Sequence, residues 1–259
     1  MIVPAVTAGV SLAMMLAWAV QRRTGNAGWV DVIWTFVLGG AGMAYALAAG
    51  GMGGTRAWLA AALVAAWALR LGGYILRRTR HGAEDVRYAS LRAEWGDGFQ
   101  RRMFGFLQLQ AAVAAVLALA VLLAARNPAP LGLGDAAGVA VFLTAILGGN
   151  AADEQLLRFR RAAANRGQVC AVGLWRLSRH PNYFFEVLGW CAWPLLAISA
   201  AYPPGWLTLA APALMYWLLV HVSGIPPLEA AMLRSRGDAY RAYQARTRPF
   251  LPLPKWSLK

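Results

Sequence analysis

The chain has 259 residues, of which 59% are hydrophobic and 14% charged, with a mean hydropathy of +0.47. One soluble globular domain of this length does not carry so apolar a composition, which excludes that class and leaves an integral membrane protein. The formal charge of +14, from 25 basic and 11 acidic residues, invites a nucleic-acid reading, which the positions of the charges then remove.

Taken in chain order, uncharged or nearly uncharged runs fall at about 3–20, 28–49, 58–76, 104–125, 131–149, 183–200 and 203–222. Most approach the ~20 residues that cross a bilayer core. They predict an all-α bundle of seven transmembrane helices in one domain, 1–259, with no linker and no internal repeat. The first run has no basic segment before it, since Arg22 and Arg23 follow it, so it is expected to be a retained helix rather than a signal peptide. In the fifth, Asp135 and two of its glycines leave only a short clean stretch, so six crossings or a re-entrant fifth stand as alternatives to seven.

The basic residues alternate with the runs. The loop after the first run holds two, the loop after the third seven, the loop after the fifth six and the tail seven, while the other loops hold only Arg56 and Arg126. Excess Lys and Arg mark the cytoplasmic side, so this alternation predicts an outside N-terminus and a cytoplasmic C-terminus. Nucleic acid is then not needed to explain the charge. The cytoplasmic segments 77–105, 151–182 and 223–259 are long and mix Arg with acids and aromatics, so any chemistry is expected on that side.

Within the segment 77–105, Val86, Leu91, Trp95 and Phe99 keep a loose helical period and predict surface helices. In the tail, Pro226 and Pro227 suit a helix start, and Leu228, Met232, Leu233, Tyr240 and Tyr243 form an apolar face. The "RTRPFLPLP" that follows reads as extended chain, carrying Arg246 and Arg248 away from any helix. Cys170 and Cys191 lack metal or disulfide spacing and read as packing residues. His81, His180 and His221 are scattered, so no metal site is indicated. The string "GLGDAAG" at 132–138 follows no strand and falls on the outer side, so it is not a dinucleotide loop.

The most informative stretch is "LWRLSRHPNYFFEVLGWCAWPLLAIS", 174–199. Pro181 fits the first turn of a helix, with Ser178 or His180 at the cap. A helix start flanked by Arg176, Arg179 and His180 attracts an anion. Asn182 and Glu186, four apart, share one helical face about one turn into the membrane. A carboxylate there is costly and faces a polar cavity or a partner.

"RHPNY" followed by that acid, together with "DVIW" at 31–34, "RLGGYILRRTR" at 70–80, "GAEDVRY" at 82–88 and the tail "AYRAYQARTRPFLPLP", resembles the bacterial membrane branch of the steroid 5α-reductase-like family. The likeness runs from about 28 to 254. It implies a seven-helix membrane reductase using NADPH to reduce the activated C=C bond of an enone, typically a 3-oxo-Δ4-steroid, with membrane lipid as its surroundings. Its implied catalytic acids are Glu186 and Asp31. For the cofactor it implies Arg179, His180, Asn182 and Tyr183 at the sixth run, Asn150, Asp153, Arg158 and Arg160 after the fifth, Arg70, Tyr74 and Arg78 on the third, and Arg246 in the tail. Trp67 stands where the animal steroid enzymes place a tyrosine, and Phe185 stands where related sequences often have glycine.

Two other classes compete. S-adenosylmethionine-dependent methyl transfer to a lipid-borne acceptor would use the same helix start but needs no phosphate-binding arginines. A transporter or scaffold would explain the charges by topology, but not Asn182 and Glu186 on one face.

Overall fold

The computed structural model describes residues 2–50, 54–82 and 84–255. The described residues form ten α-helices: α1 (Ile2–Thr24), α2 (Gly28–Gly50), α3 (Thr55–His81), α4 (Val86–Trp95), α5 (Phe99–Ala125), α6 (Leu133–Arg161), α7 (Pro181–Trp190), α8 (Ala192–Ala197), α9 (Ala210–Trp217) and α10 (Ile225–Arg246). Six segments are long and apolar enough to cross a membrane: Ile2–Thr24, Gly28–Ala49, Thr55–Arg80, Val86–Ala125, Leu133–Arg161 and Pro203–Arg246. Helices suit this solvent because each satisfies its own backbone hydrogen bonds where water is absent.

The sequence suggested seven crossings, of which the fifth is borne out as a helix and the sixth is not a single helix. The fifth run is a continuous helix of 29 residues, α6, with Asp135 in its first turn. The run at 183–200 is not one helix, since α7 ends at Trp190 and α8 begins at Ala192. Pro194 supplies the reason: it has no N–H for the carbonyl four residues back, and its ring crowds that turn. The final crossing is also irregular. It opens as a 3₁₀ segment over Pro203–Leu209 and passes through a π-helical turn over Leu218–Val222 before α10.

The chain divides into two compact units. Unit one is residues 1–139 and 193–211, and unit two is 140–192 and 212–259. In unit one, α1, α2, α3 and α5 pack on one another. Val10, Met14, Ala17 and Gln21 form the buried stripe of α1 at three- and four-residue spacing, while Leu12 and Leu16 on the opposite face are 64% and 60% exposed. Leucine on the outer face and a mixed stripe of Val, Met, Ala and Gln on the inner one suit a helix whose outer solvent is lipid. Ser11 Oγ donates to Gln108 Oε1 at 2.6 Å, and Gln21 Nε2 donates to Gln100 Oε1 at 2.7 Å, tying α1 to α5.

A second fastening lies where α3 begins. The Arg56 guanidinium forks onto Asp135, with both bonds at 2.8 Å, and reaches the carbonyls of Asn127, Ala129 and Pro130. Asn127 in turn donates to the Leu196 carbonyl. The start of α3, the α5–α6 connection and α8 are held by this one network.

In unit two, α6 and α7 come together through small residues. A Cβ on Gly148 would lie 2.2 Å from the Phe185 ring, so the close approach requires glycine on α6. The bulk of Phe185 is thus accommodated by α6. α10 is broken at Gly237, whose φ of +49° suits glycine and allows the second half of the helix a new direction.

Candidate functional site

Ten of the residues named by the sequence lie in unit two: Asn150, Asp153, Arg158, Arg160, Arg179, His180, Asn182, Tyr183, Glu186 and Arg246. They are carried by the end of α6, the connection from α6 to α7, the start of α7 and the end of α10. The connection is pinned to α6 at two points. Trp175 Nε1 donates to the Ala152 carbonyl at 2.9 Å, and the Leu174 amide donates to Gln155 Oε1 at 2.9 Å. Tyr243 of α10 donates its hydroxyl to the Trp175 carbonyl, which holds the same connection from the other side.

The helix start predicted from "RHPNY" is present. α7 begins at Pro181 with His180 at the N-cap, and the His180 amide donates to Ser178 Oγ at 3.1 Å. Asn182, Tyr183 and Glu186 are all half-buried in the first two turns. Trp190 Nε1 donates to Glu186 Oε1 at 3.0 Å, one turn along the helix. The acid therefore has a donor within its own helix, which lowers the cost of carrying a carboxylate among apolar residues.

The entrance to α7 is organised by a residue the sequence reading passed over, Glu229. Its carboxylate accepts from Arg179 Nε at 2.6 Å, Arg179 NH2 at 3.1 Å, His180 Nε2 at 3.1 Å and Gln244 Nε2 at 2.7 Å. Arg179 also donates to the Gln244 and Thr247 carbonyls at the end of α10. Four hydrogen bonds to α10 and its end, besides one shared with the tail through its amide to the Arg248 carbonyl, make Arg179 a clamp between α10 and α7. The only local signal in the sequence was an acid set among Leu228, Met232 and Leu233 on an otherwise apolar helix face.

His180 is 5% exposed, and its ring stacks on Tyr183 with centroids 5.6 Å apart and planes within 10°. Burial pushes its pKa below the ordinary histidine value. Glu229 pulls it upward, and the Arg179 charge adds to the lowering. The net direction leaves the ring neutral at pH 7.

The tail leaves the helix after α10, as expected, but it is not extended: Ser178 and Arg248 pair as a short parallel bridge, the chain then bends repeatedly over 249–253, and Lys255 Nζ returns to donate to the Ala245 carbonyl at 2.7 Å. Ser178 Oγ donates to the Phe250 carbonyl at 2.8 Å, while the Phe250 ring meets Phe184 and Tyr216 edge-on. Arg246 differs from the expectation, since it is the last residue of α10 rather than part of the chain beyond it. It is Arg248 that lies beyond the helix, with its Nε buried and without a hydrogen bond.

The arginines around this entrance fall into two groups. Arg158 is exposed and pairs with Glu154 one turn away on α6. Arg160, Arg176 and Arg246 are exposed and form no ion pair among the described residues. On the same α6, Asn150 is exposed and Asp153 is 4% exposed.

The other four named residues belong to unit one. Arg70, Tyr74 and Arg78 are four apart on α3 and share one face, half-buried at Arg70 and Tyr74 and exposed at Arg78. Asp31 accepts from Tyr88 at 2.7 Å and pairs with Arg87 at 2.5 Å. Arg87 and Arg78 both also pair with Asp85, at 2.9 and 2.8 Å. Burial works to raise the Asp85 pKa, but the two guanidinium groups overcome it and hold the carboxyl at about 2. The "GAEDVRY" motif is therefore a joint between the starts of α2 and α4 and the end of α3. Trp67, in place of a tyrosine, is 6% exposed on α3.

These features define an all-helical membrane protein with a polar helix entrance in unit two. A family model described as "Protein of unknown function (DUF1295)" matches residues 17–247, and the chain belongs to that family. Neither the curated proteins nor the solved structures contain a match to the chain.

Proposed function

We propose that the chain is a membrane-embedded reductase that uses NADPH to reduce the activated C=C bond of an enone, such as a 3-oxo-Δ4-steroid, to its 5α-reduced product. The observation that carries this is the entrance of α7, where Asn182 and Glu186 share one face beside His180 and Tyr183. The resemblance of "RHPNY" and its companion motifs to the steroid 5α-reductase-like family supports the same reading.

The donor set fits the cofactor. An amide and a carboxylate four residues apart match a carboxamide, which both donates and accepts hydrogen bonds. Guanidinium groups without acid partners, Arg160, Arg246 and Arg248, suit phosphate oxygens, and a surplus of them favours the extra phosphate of NADPH over NADH. Bound there, NADPH would supply the hydride that reaches the β-carbon of the enone. Glu186 and Asn182 would orient the carboxamide, and Tyr183 would cover the entrance from the side of His180. An acid hydrogen-bonded to the substrate carbonyl would steady the negative charge on that oxygen until a proton reaches the α-carbon. Asp31, Arg70, Tyr74 and Arg78 enter through the resemblance alone.

The same proposal takes the entrance of α7 as cytoplasmic, following the arginine-rich segments. It takes α7 and α8 together as a seventh, broken crossing, since irregular backbone at membrane depth is tolerated where protein surrounds it.

The test is ligand-dependent thermal stability of the detergent-purified chain with NADPH, NADH and S-adenosylmethionine, followed by NADPH oxidation with a 3-oxo-Δ4-steroid. The expected result is selective stabilisation by NADPH and loss of at least about 100-fold in turnover for Glu186→Ala with its folding intact. Stabilisation by S-adenosylmethionine alone would transfer the site to methyl transfer.

A further inference from the structure

Glu229 has a geometry that dictates the chemistry of its neighbour. A carboxylate can only accept, so a hydrogen bond between Glu229 Oε1 and His180 Nε2 requires the proton to be on Nε2. The same carboxylate is locked in place by both arms of Arg179 and by Gln244, which leaves it no freedom to turn away from the ring. His180 Nδ1 has no hydrogen-bond partner among the described residues, although the side chain is 6% exposed and sits at the cap of α7. A buried, neutral imidazole with Nε2–H committed presents Nδ1 as a lone pair. Such an atom accepts from a hydroxyl or an amide N–H. It does not bind a phosphate oxygen, which is itself an acceptor.

We propose that Glu229 is a positioning residue that fixes His180 in the Nε2–H tautomer, so that Nδ1 receives a hydroxyl or carboxamide donor of the ligand, while Arg179 serves as the clamp and not as a phosphate contact. This rests on the reductase proposal only for the identity of that ligand as NADPH. The depressed pKa of His180 is consistent with it, since the protonated ring would have no acceptor to offer. The groups facing His180 are Glu229 from α10, Arg179 beside it in the chain and Tyr183 from α7.

The tautomer is measured directly on the full chain in detergent, labelled with ¹⁵N-histidine, by long-range proton–nitrogen correlation at pH 7. His180→Gln identifies the His180 signals by their loss. The expected spectrum shows a protonated Nε2 and an unprotonated Nδ1. In Glu229→Gln, where an amide NH2 can turn toward the ring, the single tautomer is expected to give way to a mixture or to Nδ1–H. An Nδ1–H or doubly protonated ring in the unaltered chain would overturn the proposal, as would an unchanged single tautomer in Glu229→Gln.

The ligand side is read by NADPH binding through thermal shift. His180→Asn, whose side-chain oxygen reaches the Nδ1 position, is expected to keep affinity within about threefold, and His180→Leu to lose about tenfold. Equal losses in both variants would remove Nδ1 as the acceptor. No binding of NADPH to the unaltered chain would instead overturn the reductase proposal, and the tautomer spectrum would still decide the role of Glu229.

Discussion

Unit one and unit two carry their charge differently. Unit one holds twelve basic and six acidic residues, and unit two thirteen and five. In unit one Asp31, Glu84, Asp85 and Asp135 each take an arginine; the Asp31 and Asp135 pairs join segments 56 and 79 residues apart, and the Glu84 and Asp85 pairs are local to the α3–α4 connection. Unit two directs Glu229 to a clamp and leaves Arg160, Arg176 and Arg246 exposed without a carboxylate among the described residues. Both units share a basic excess and leave exposed arginines outside the ion pairs of the described residues; what differs is the fastening, which in unit one is spread over several acids and in unit two gathers on Glu229. A count of arginines does not show this difference, and their partners do.

The sharpest way to break the comparison is at Arg56, whose side chain is 7% exposed beside Asp135 at 11%. Arg56→Ala leaves a buried carboxylate with its charge unpaired, held only by backbone amides such as that of Gly132, and three carbonyls without this donor, and is expected to cost about 3–5 kcal/mol. Arg56→Met with Asp135→Leu, which removes both charges, is expected to recover much of that loss. Thermal unfolding in detergent measures both, and a single substitution without effect would move this pair out of the structural class.

A smaller effect is expected at Asp85. Its folded pKa of about 2 lies below the ordinary 3.8, so its ionised form stabilises the fold above pH ~4. That contribution, about 2 kcal/mol, is lost as the pH falls from about 4 toward 2. Asp85→Asn preserves the cap on α4 and removes the charge. It is expected to be less stable than the unaltered chain at pH 7 and to match it near pH 2. A difference that persists unchanged at low pH would assign the effect to packing.

The finest distinction lies within unit two. Arg160→Ala and Arg246→Ala are each expected to raise the NADPH concentration for half-saturation about tenfold, the worth of one charge-assisted hydrogen bond. Arg158→Ala breaks only an exposed pair with Glu154 and is expected to leave stability within about 0.5 kcal/mol of the original. Cofactor titrations that respond equally at Arg158, or at none of the three, would return these arginines to membrane topology.

Much of the site was legible in "RHPNYFFE". Proline fixes the first turn of α7, and four-residue spacing puts Asn182 and Glu186 on one face whatever surrounds them. That the helix stops before the tail was also legible, because its prolines exclude continued helix, whereas the bends that return Lys255 to the end of α10 were not. The break after Trp190 was missed because hydropathy registers Pro194 as just another member of an apolar run, while the backbone registers a missing donor. That Phe185 packs against a glycine of α6, 37 positions away, was likewise not legible, because nothing local ties the two residues together.

Composition and local spacing thus determined by themselves that this is a helical membrane protein, where most of its helices lie and where its polar entrance begins. These are properties of neighbouring residues, and each helix expresses them alone. Only the tertiary structure decided that Glu229 meets Arg179 and His180, or that Arg56 meets Asp135. In a lipid-surrounded bundle both faces of a helix are apolar, so the sequence pattern scarcely specifies its rotation, and which carboxylate faces which guanidinium is settled when the helices pack.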